Sequence, residues 1–225
     1  MGQAKSNKRV PASSVNIKYH VLNGSIPPDR NRARIFLNSL DVRFLYEGRR
    51  IIYSPLELKE NLMNLSGKNI IVLAVRDRFI IGAIKCLRTQ SFGEIEYVQT
   101  SKMYSGVCTQ LVEHATRALL SDGFKCVKIW MHSSYGPAAC RCYLRALMRS
   151  SKNGKVYLQK DILSRKPRFE IIEIPKTQQS IRTVSNVLCT ESYGYVNKDG
   201  FANAYLWLCI PGFDPIRNKL RRRSF

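Results

Sequence analysis

Acidic residues are scarce in this sequence. The 225 residues include 37 Lys and Arg but only 16 Asp and Glu, which gives a formal net charge of +21 at pH 7. The excess is uneven, because residues 145–225 alone hold 16 basic and 6 acidic residues. Such a positive field attracts polyanions and repels basic partners such as a free histone-like tail. We therefore expect a polyanionic partner such as RNA or DNA, the alternative being a well-solvated basic surface.

Long apolar runs are also missing. No stretch of about 18 apolar residues occurs, so we expect no transmembrane segment. The N-terminus lacks the apolar core of a secretory signal peptide. It does begin Met-Gly-Gln-Ala-Lys-Ser, which fits the M-G-x-x-x-[ST] acylation pattern and is followed by Lys8 and Arg9. Gly2 is therefore a candidate for lipidation and membrane anchoring, although we favour an unanchored protein.

Paired cysteine motifs are absent too. The chain has an odd number of cysteines, seven, and no C-x-x-C. Most of them stand among apolar neighbours, so we expect core thiols of an intracellular protein in a reducing compartment, the cytoplasm or nucleus, and no disulfide framework. Cys140 and Cys142 near His132 fit no usual zinc spacing, and we expect no metal. G-x-S-x-G, Walker and dinucleotide fingerprints are also missing.

Composition and pattern divide the chain into four parts. Hydrophobic residues make up 44% of it, enough for a packed core. Residues 1–32, interrupted by prolines, predict a basic flexible arm. Residues 33–148 predict the folded core, 149–187 a basic insertion, and 188–225 a closing β-hairpin followed by a basic tail.

Within the core, local signals predict the order of the elements. Ser54, Pro55 and Glu57 form a capping box that begins a helix, which ends at Gly67. Three β-rich runs then follow over residues 70–100, and their short connections indicate an antiparallel meander.

A helix is predicted after this meander. Apolar residues recur along one side of it from Cys108 to Leu119, and Gly123 ends it. The strand Lys125–Met131 and a helix with Pro137 in its first turn come next. Strand, helix and strand at this spacing predict a βαβ unit with parallel strands.

Gly106 lies between the third strand and that helix. A helix N-terminus offers unpaired backbone N–H groups and a partial positive charge. A glycine there lets an anion come close, because no Cβ stands in the way. A simple turn glycine is the alternative at this point.

The order of elements and two motifs resemble the GNAT acyltransferase superfamily, over roughly Leu37–Met148. The family's cofactor motif, [RQ]-x-x-G-x-[GA], falls on Met103, Tyr104, Ser105, Gly106, Val107 and Cys108. Its glycine matches, whereas Met103 and Cys108 depart from it. Ala139 and Tyr143 match the family's N-x-x-A-x-x-x-Y pattern, in which Gly136 replaces the Asn.

The resemblance implies an α/β fold with a mixed, mostly antiparallel central sheet and helices on both faces. It also implies binding of acetyl-CoA or another acyl-CoA, with the pyrophosphate at the turn of residues 103–108. The cofactor arm would then lie between two diverging strands, flanked by Val98, Gln99 and Thr100.

Transfer to an amine needs a base for the amine and an acid for the departing thiolate. By resemblance, Tyr143 is the acid and a glutamate of the third β-rich run is the base. Glu94 is the closer counterpart, and Glu96 follows it two residues later. His132 is an alternative base. The structural alternatives are a core tyrosine, a solvated strand face and a hydrogen-bonded histidine.

The C-terminal third is basic and rich in aromatic residues. Lys198 at the predicted hairpin turn and Arg221, Arg222 and Arg223 in the tail suit contacts with phosphates. The sequence thus favours an acetyl-CoA-dependent N-acyltransferase whose amine acceptor is associated with nucleic acid. The alternative is a non-catalytic nucleic-acid-binding or virion protein on the same fold.

Overall fold

The computed structural model describes residues 10–12, 15–25, 27–42, 60, 66–101, 104–131, 136–160, 168–198 and 204–215. Its strands are β1 Val10–Pro11, β2 Lys18–Asn23, β3 Asp41–Val42, β4 Asn69–Arg76, β5 Phe79–Arg88, β6 Gly93–Thr100, β7 Tyr104–Ser105, β8 Cys126–Met131, β9 Lys155–Lys160, β10 Arg168–Ile172 and β11 Ala204–Cys209. Its helices are α1 Pro27–Asn38, α2 Val107–Ser121, α3 Gly136–Ser150 and α4 Gln178–Lys198.

One mixed sheet organises the molecule. Its strand order is β10-β9-β11-β8-β6-β5-β4-β2, with the short β3 beside β5. Along this order only β6 and β8 pair in parallel, and every other neighbouring pair is antiparallel. The predicted meander is confirmed as β4, β5 and β6, and the predicted βαβ unit as β6, α2 and β8. The expected fold class, a mostly antiparallel mixed sheet with helices, is confirmed.

Helices cover both faces of this sheet. Strand β4 is buried along almost its whole length, because its side chains alternate between two cores. On one face Leu111 and Val112 of α2 pack in a large core that also takes in α3 and α4. On the other face Ala33 and Leu37 of α1 pack against β4 and β5.

The expectation of a flexible arm over residues 1–32 is wrong for its described part from Lys18 onward. Strand β2 pairs antiparallel with β4 over six residues and forms one end of the sheet. Helix α1 begins at Pro27, since proline is well tolerated in a first helical turn, where the N–H group has no intrahelical partner. The prolines therefore mark a helix start rather than a loose segment.

The predicted closing hairpin is wrong in its first half. Residues 188–198 belong to the helix α4, and only β11 is a strand. Thr177 begins the helix, because its Oγ1 accepts a hydrogen bond from the N–H of Ser180 at 3.1 Å. Ile181 is buried, and Val184 and Leu188 pack beside it at helical spacing. Helical periodicity thus outweighs the strand-forming residues.

Part of the predicted insertion also belongs to the sheet. Strand β9 lies between β10 and β11 and pairs antiparallel with both. Residues 155–160 are therefore an internal strand of the sheet. The division of the chain into domains otherwise stays a prediction.

Six of the seven cysteines are paired, so the prediction of core thiols is wrong for all but Cys86. The disulfides join Cys108 to Cys142, Cys126 to Cys209 and Cys140 to Cys189. The two cysteines of each pair are 34, 83 and 49 residues apart in the sequence, so they meet only in the folded chain. The expectation of a reducing compartment, which depended on free thiols, loses its basis.

Several predictions lie outside the described residues. They concern Gly2, nearly all of the helix predicted from Ser54 to Gly67, and the basic tail with Arg221, Arg222 and Arg223. Among the helices that the structure describes, none is long and apolar enough to cross a membrane.

Candidate active site

Strands β6 and β8 are paired at one end only. Their parallel ladder joins Gly93, Glu94 and Ile95 to Val127, Lys128 and Ile129. Strand β6 continues to Thr100 along β5, without further pairing to β8. The two strands therefore part beyond Ile95 and Ile129.

A β-bulge explains where they part. Cys86 pairs with Ile95 and Lys85 pairs with Tyr97, which leaves Glu96 as the extra residue of β6. A bulge bends its strand and increases the local twist. The bend at Glu96 coincides with the last pair between β6 and β8, so we attribute the parting of the strands to it.

The chain then turns into α2 through Gly106. Its φ of 90° and ψ of −15° lie in the left-handed region, which strongly favours glycine. Among the described residues no side chain caps the helix, and Gly106 is exposed. The first amide N–H groups of α2 thus carry the partial positive charge of a helix N-terminus without a side-chain acceptor. The arrangement suits a bound anion.

Two local features fit a cofactor that carries a diphosphate and amide groups. A Cβ placed on Gly106 would meet only the Cβ of Ala12, at 4.0 Å, so a phosphate can approach the turn. The side-chain Oε1 of Gln99 is buried and has no hydrogen-bond partner among the described residues. Such an acceptor gains from an N–H donor, which the pantetheine amides of coenzyme A carry.

The N-terminal segment lies beside this turn. Strand β1 pairs in parallel with β7, joining Val10 to Tyr104 and Pro11 to Ser105. The guanidinium of Arg76 donates to the hydroxyl of Tyr104 at 2.5 Å and lies 5.6 Å from the centre of its ring. Both β1 and Arg76 therefore hold Tyr104 next to the turn, by contacts that the sequence did not indicate.

Tyr143 lies on α3, in the core between this helix and the sheet. Its side chain is 5% exposed, and Ala139 packs against the same core one turn earlier. The preceding residue, Cys142, is bonded to Cys108 at the start of α2. The structure therefore joins the predicted acid covalently, through its neighbour, to the predicted phosphate turn.

The two predicted bases are engaged by lysines. Glu94 Oε1 lies 2.8 Å from Lys128 Nζ, and Glu96 Oε2 lies 3.4 Å from Lys85 Nζ. The ammonium of Lys128 also lies 3.8 Å from the ring centre of Tyr205. Each ion pair uses one oxygen of the carboxylate, and the second oxygen of a carboxylate can still accept a proton.

The other predicted residues are divided. Val98 packs against the core under α2, and Thr100 lies near Gly82 of β5. Val107 is fully buried, so only its backbone can serve a ligand. Two predicted residues, Met103 and His132, lie outside the described residues, and the side chain of Lys198 is not described either.

Comparisons with known proteins gave similar chains among solved structures only. No family model matches the chain, and no curated protein does. Among solved structures, it is similar to an acetoin utilization protein from Exiguobacterium sibiricum, with 12% identity over 92% of this chain and 96% of that chain and a TM-score of 0.49. It is also similar to an N-acetyltransferase from Staphylococcus aureus Mu50, with 12% identity, coverage of 87% and 98%, and a TM-score of 0.42. A GNAT-family acetyltransferase from Streptococcus pneumoniae shows 20% identity, coverage of 86% and 99%, and a TM-score of 0.41.

The fold is GNAT-like. Its own topology carries this conclusion: a meander, a parted parallel pair joined through α2, and a last strand, β11, inserted between β8 and β9. Cys108 is the residue that the resemblance places at the last position of the family's cofactor motif, where the family has Gly or Ala. Its sulfur is engaged by Cys142, so the side chain is fixed toward α3.

Proposed function

We propose that the protein is an N-acyltransferase that moves an acetyl group from acetyl-CoA to an amine on, or close to, a nucleic acid. The observation that carries the proposal is the parting of β6 from β8 beside an exposed, uncapped helix N-terminus. The parallel pair opens at this point, and among the described strands only β5 pairs with the rest of β6.

Each part of the site has a role in this proposal. The N–H groups at the start of α2 would hold the diphosphate, with Ser105 and Gly106 in the turn. The cofactor would supply the activated acyl group, along Val98, Gln99 and Thr100. Tyr143 would return a proton to the thiolate.

The base is proposed among the residues of β6 and the end of β8. Glu94 or Glu96 would take the proton of the amine through the oxygen that its lysine does not contact, and His132 is the alternative. Lys128 and Lys85 would orient the two carboxylates.

The acceptor is proposed from charge. A net charge of +21 raises the local concentration of polyanions around the protein. An amine carried by a charged tRNA, by a nucleobase or by a protein bound to nucleic acid would be delivered by the same field.

Two glycines offer a matched test of the cofactor site. Gly106 and Gly123 lie at opposite ends of α2, and both have a positive φ, 90° and 97°. A glutamate at either position suffers similar backbone strain, but only Gly106→Glu places a carboxylate at the proposed diphosphate site. We expect saturating acetyl-CoA to raise the melting temperature of the wild type and of Gly123→Glu, and to leave that of Gly106→Glu unchanged.

The same measurement distinguishes the alternative function. If acetyl-CoA fails to shift the wild type while a salt-sensitive oligonucleotide complex forms, the protein is a binding module on this fold. Equal shifts in both glycine variants would place acetyl-CoA elsewhere on the protein and contradict the proposed turn.

A further inference from the structure

Five arginines line the outer sides of the three helices on one face of the sheet. Three of them, Arg141, Arg145 and Arg149, follow each other at four-residue steps along α3. Each step advances about 6 Å along a helix axis, so the three form one stripe. We name the whole set the arginine ridge: Arg117 of α2, Arg141, Arg145 and Arg149 of α3, and Arg182 of α4.

Contacts between the helices hold the ridge together. The guanidinium of Arg145 donates to Asn186 Oδ1 of α4 at 2.8 Å, and Asn186 is one turn after Arg182. On the other side of α3, Arg149 lies 3.3 Å from Glu113 Oε1 of α2. The ridge is therefore a surface built across three packed helices.

Among the side chains described on the three helices, one is acidic. Glu113 pairs with Arg149 and, at 3.1 Å, with Arg117. It is the only Asp or Glu whose side chain is described on the three helices. Arg141, Arg145 and Arg182 form no ion pair with a described carboxylate. Three cations therefore lack a counter-charge within the described part of the protein.

Arg145 is the arginine most affected by the neighbouring positive charges. Its Nε is buried and has no hydrogen-bond partner among the described residues. Burial lowers the pKa of Arg145, and the neighbouring Arg141, Arg182 and Arg149 lower it further. A ligand with regularly spaced negative charges on this surface would relieve the repulsion among these arginines.

We propose that the arginine ridge binds the sugar–phosphate backbone of a nucleic acid, without sequence preference. Every basic side chain described on these helices is an arginine, whose planar fork matches phosphate oxygens. No exposed aromatic side chain is described on them that would stack on bases. This inference rests on the nucleic-acid association in the proposed function and is independent of acetyl transfer.

An anionic membrane is less suited to the ridge. Helices that bind in a membrane interface insert large apolar side chains next to their basic residues. Val187 is the one large apolar side chain that is exposed among the described residues of the three helices. Phosphate contacts alone, as on nucleic acid, fit this composition better.

The test compares two variants with the same change in charge. The ridge variant carries Arg141→Gln, Arg145→Gln and Arg182→Gln. The control variant carries Arg32→Gln, Arg34→Gln and Lys152→Gln, all exposed and outside the three helices. A fluorescein-labelled 20-nucleotide single-stranded RNA is titrated with each protein between 50 and 200 mM KCl, and anisotropy is measured. A second ridge variant, with only Arg141 and Arg182 replaced, keeps the half-buried Arg145.

We expect the ridge variant to bind RNA at least tenfold more weakly than the control variant. The slope of log K against log salt should fall by about 2, since each lost contact to a single strand contributes about 0.7. The variant without Arg141 and Arg182 should lie between the wild type and the ridge variant. A duplex of the same sequence should show the same dependence on the ridge.

Three outcomes would overturn the inference. The first is equal weakening in the ridge and control variants, which would indicate a diffuse charge effect. The second is binding of the wild type to phosphatidylserine vesicles but not to RNA. The third is absence of RNA binding altogether.

Acetyl-CoA thermal shifts measured on the same proteins separate this inference from the transferase proposal. A ridge variant that loses RNA but keeps the acetyl-CoA shift supports both. A wild type that shows the shift but binds no RNA contradicts the ridge and the nucleic-acid association of the acceptor, but not acetyl transfer. The reverse result contradicts acetyl transfer and leaves the ridge supported.

Discussion

At the scale of single residues, the sequence indicated the turn at Gly106, but it did not indicate which side chains Glu94 and Glu96 contact. Gly106 follows a strand and precedes a helix, and that local context already suggests a left-handed turn. Lys128 contacts Glu94 only because β6 and β8 pair in a particular register, with 33 residues including α2 between them. The alternation along β6 was also misleading, since the bulge at Glu96 interrupts it.

Gly82 shows a second requirement that sequence alone does not reveal. A Cβ at this position would lie 2.6 Å from Leu111 Cδ1 and 3.2 Å from Val107 Cγ1. Helix α2 can therefore lie close to β5 because residue 82 has no side chain. This close approach sets the height of the α2 N-terminus above the sheet.

A histidine of α2, His114, predicts how stability depends on pH. The ring of His114 stacks on Tyr19 with centroids 4.8 Å apart, and burial, with Arg117 second, lowers its pKa. The unfolded chain therefore takes up this proton first as pH falls. The contribution of neutral His114 to the free energy of unfolding is complete above about pH 6.5, the ordinary pKa of histidine. It is lost as pH falls through the lower pKa of the folded state. We expect the melting temperature to fall less between pH 7 and pH 5 in His114→Phe than in the wild type.

His20 supplies the control for this experiment. It packs on Phe36 on the opposite face of the sheet, and burial, followed by Lys18, lowers its pKa as well. His20→Phe should remove the contribution of His20 to the pH dependence of the melting temperature and leave the contribution of His114 unchanged. Identical pH profiles for the wild type and both variants would contradict the assignment.

At the scale of elements, local sequence signals predicted helices and strands correctly where each element packs on the next element in the chain. The capped turn at Thr177 is a local signal for α4. However, residues that favour strands follow Thr177. They form a helix because Ile181 and Cys189 are buried against α3. Strand propensity was outweighed by tertiary packing, as is common for short apolar stretches.

The disulfides predict a specific pattern of reactive thiols. With iodoacetamide in denaturant but without reductant, we expect one of the seven cysteines, Cys86, to be alkylated, and all seven after reduction. Peptide mapping by mass spectrometry should identify the three pairs. The replacement of Cys140 and Cys189 by serine should lower the free energy of unfolding by about 2–4 kcal/mol, since their bond closes a long loop.

Alkylation of several cysteines in unreduced, denatured protein would show that the sulfurs are thiols. In that case the sequence-based prediction of core thiols would be restored, and α2, α3 and α4 would be held by packing alone.

At the scale of the whole molecule, the middle of the chain was predictable and its ends were not. The meander and the βαβ unit join elements that follow each other directly, so their patterns and short connections suffice. The two ends depend on long-range pairing: β2 with β4 across α1, and β11 with β8 and β9. Nothing in the local sequence of residues 18–23 indicates which strand it meets.

Two truncations test how the N-terminal part contributes to the whole fold. Removal of residues 1–14 takes away β1 and Ala12 but leaves the main sheet intact. Removal of residues 1–25 also takes away β2, which pairs with β4 over six residues. At about 1 kcal/mol for each backbone hydrogen bond, that loss is comparable with the whole stability of a typical domain, about 5–15 kcal/mol. It would also leave the apolar β4 as an unprotected edge.

We therefore expect the shorter truncation to melt cooperatively within a few degrees of the full chain, and the longer one to aggregate or melt far lower. Differential scanning calorimetry of the soluble fractions measures both. A cooperative transition at the full-length temperature after removal of residues 1–25 would mean that β2 is dispensable, and the sequence-based expectation of a loose arm would be right after all. A large loss after removal of residues 1–14 alone would instead show that β1, paired with β7 beside Gly106, and the buried Ala12 together stabilise the whole molecule.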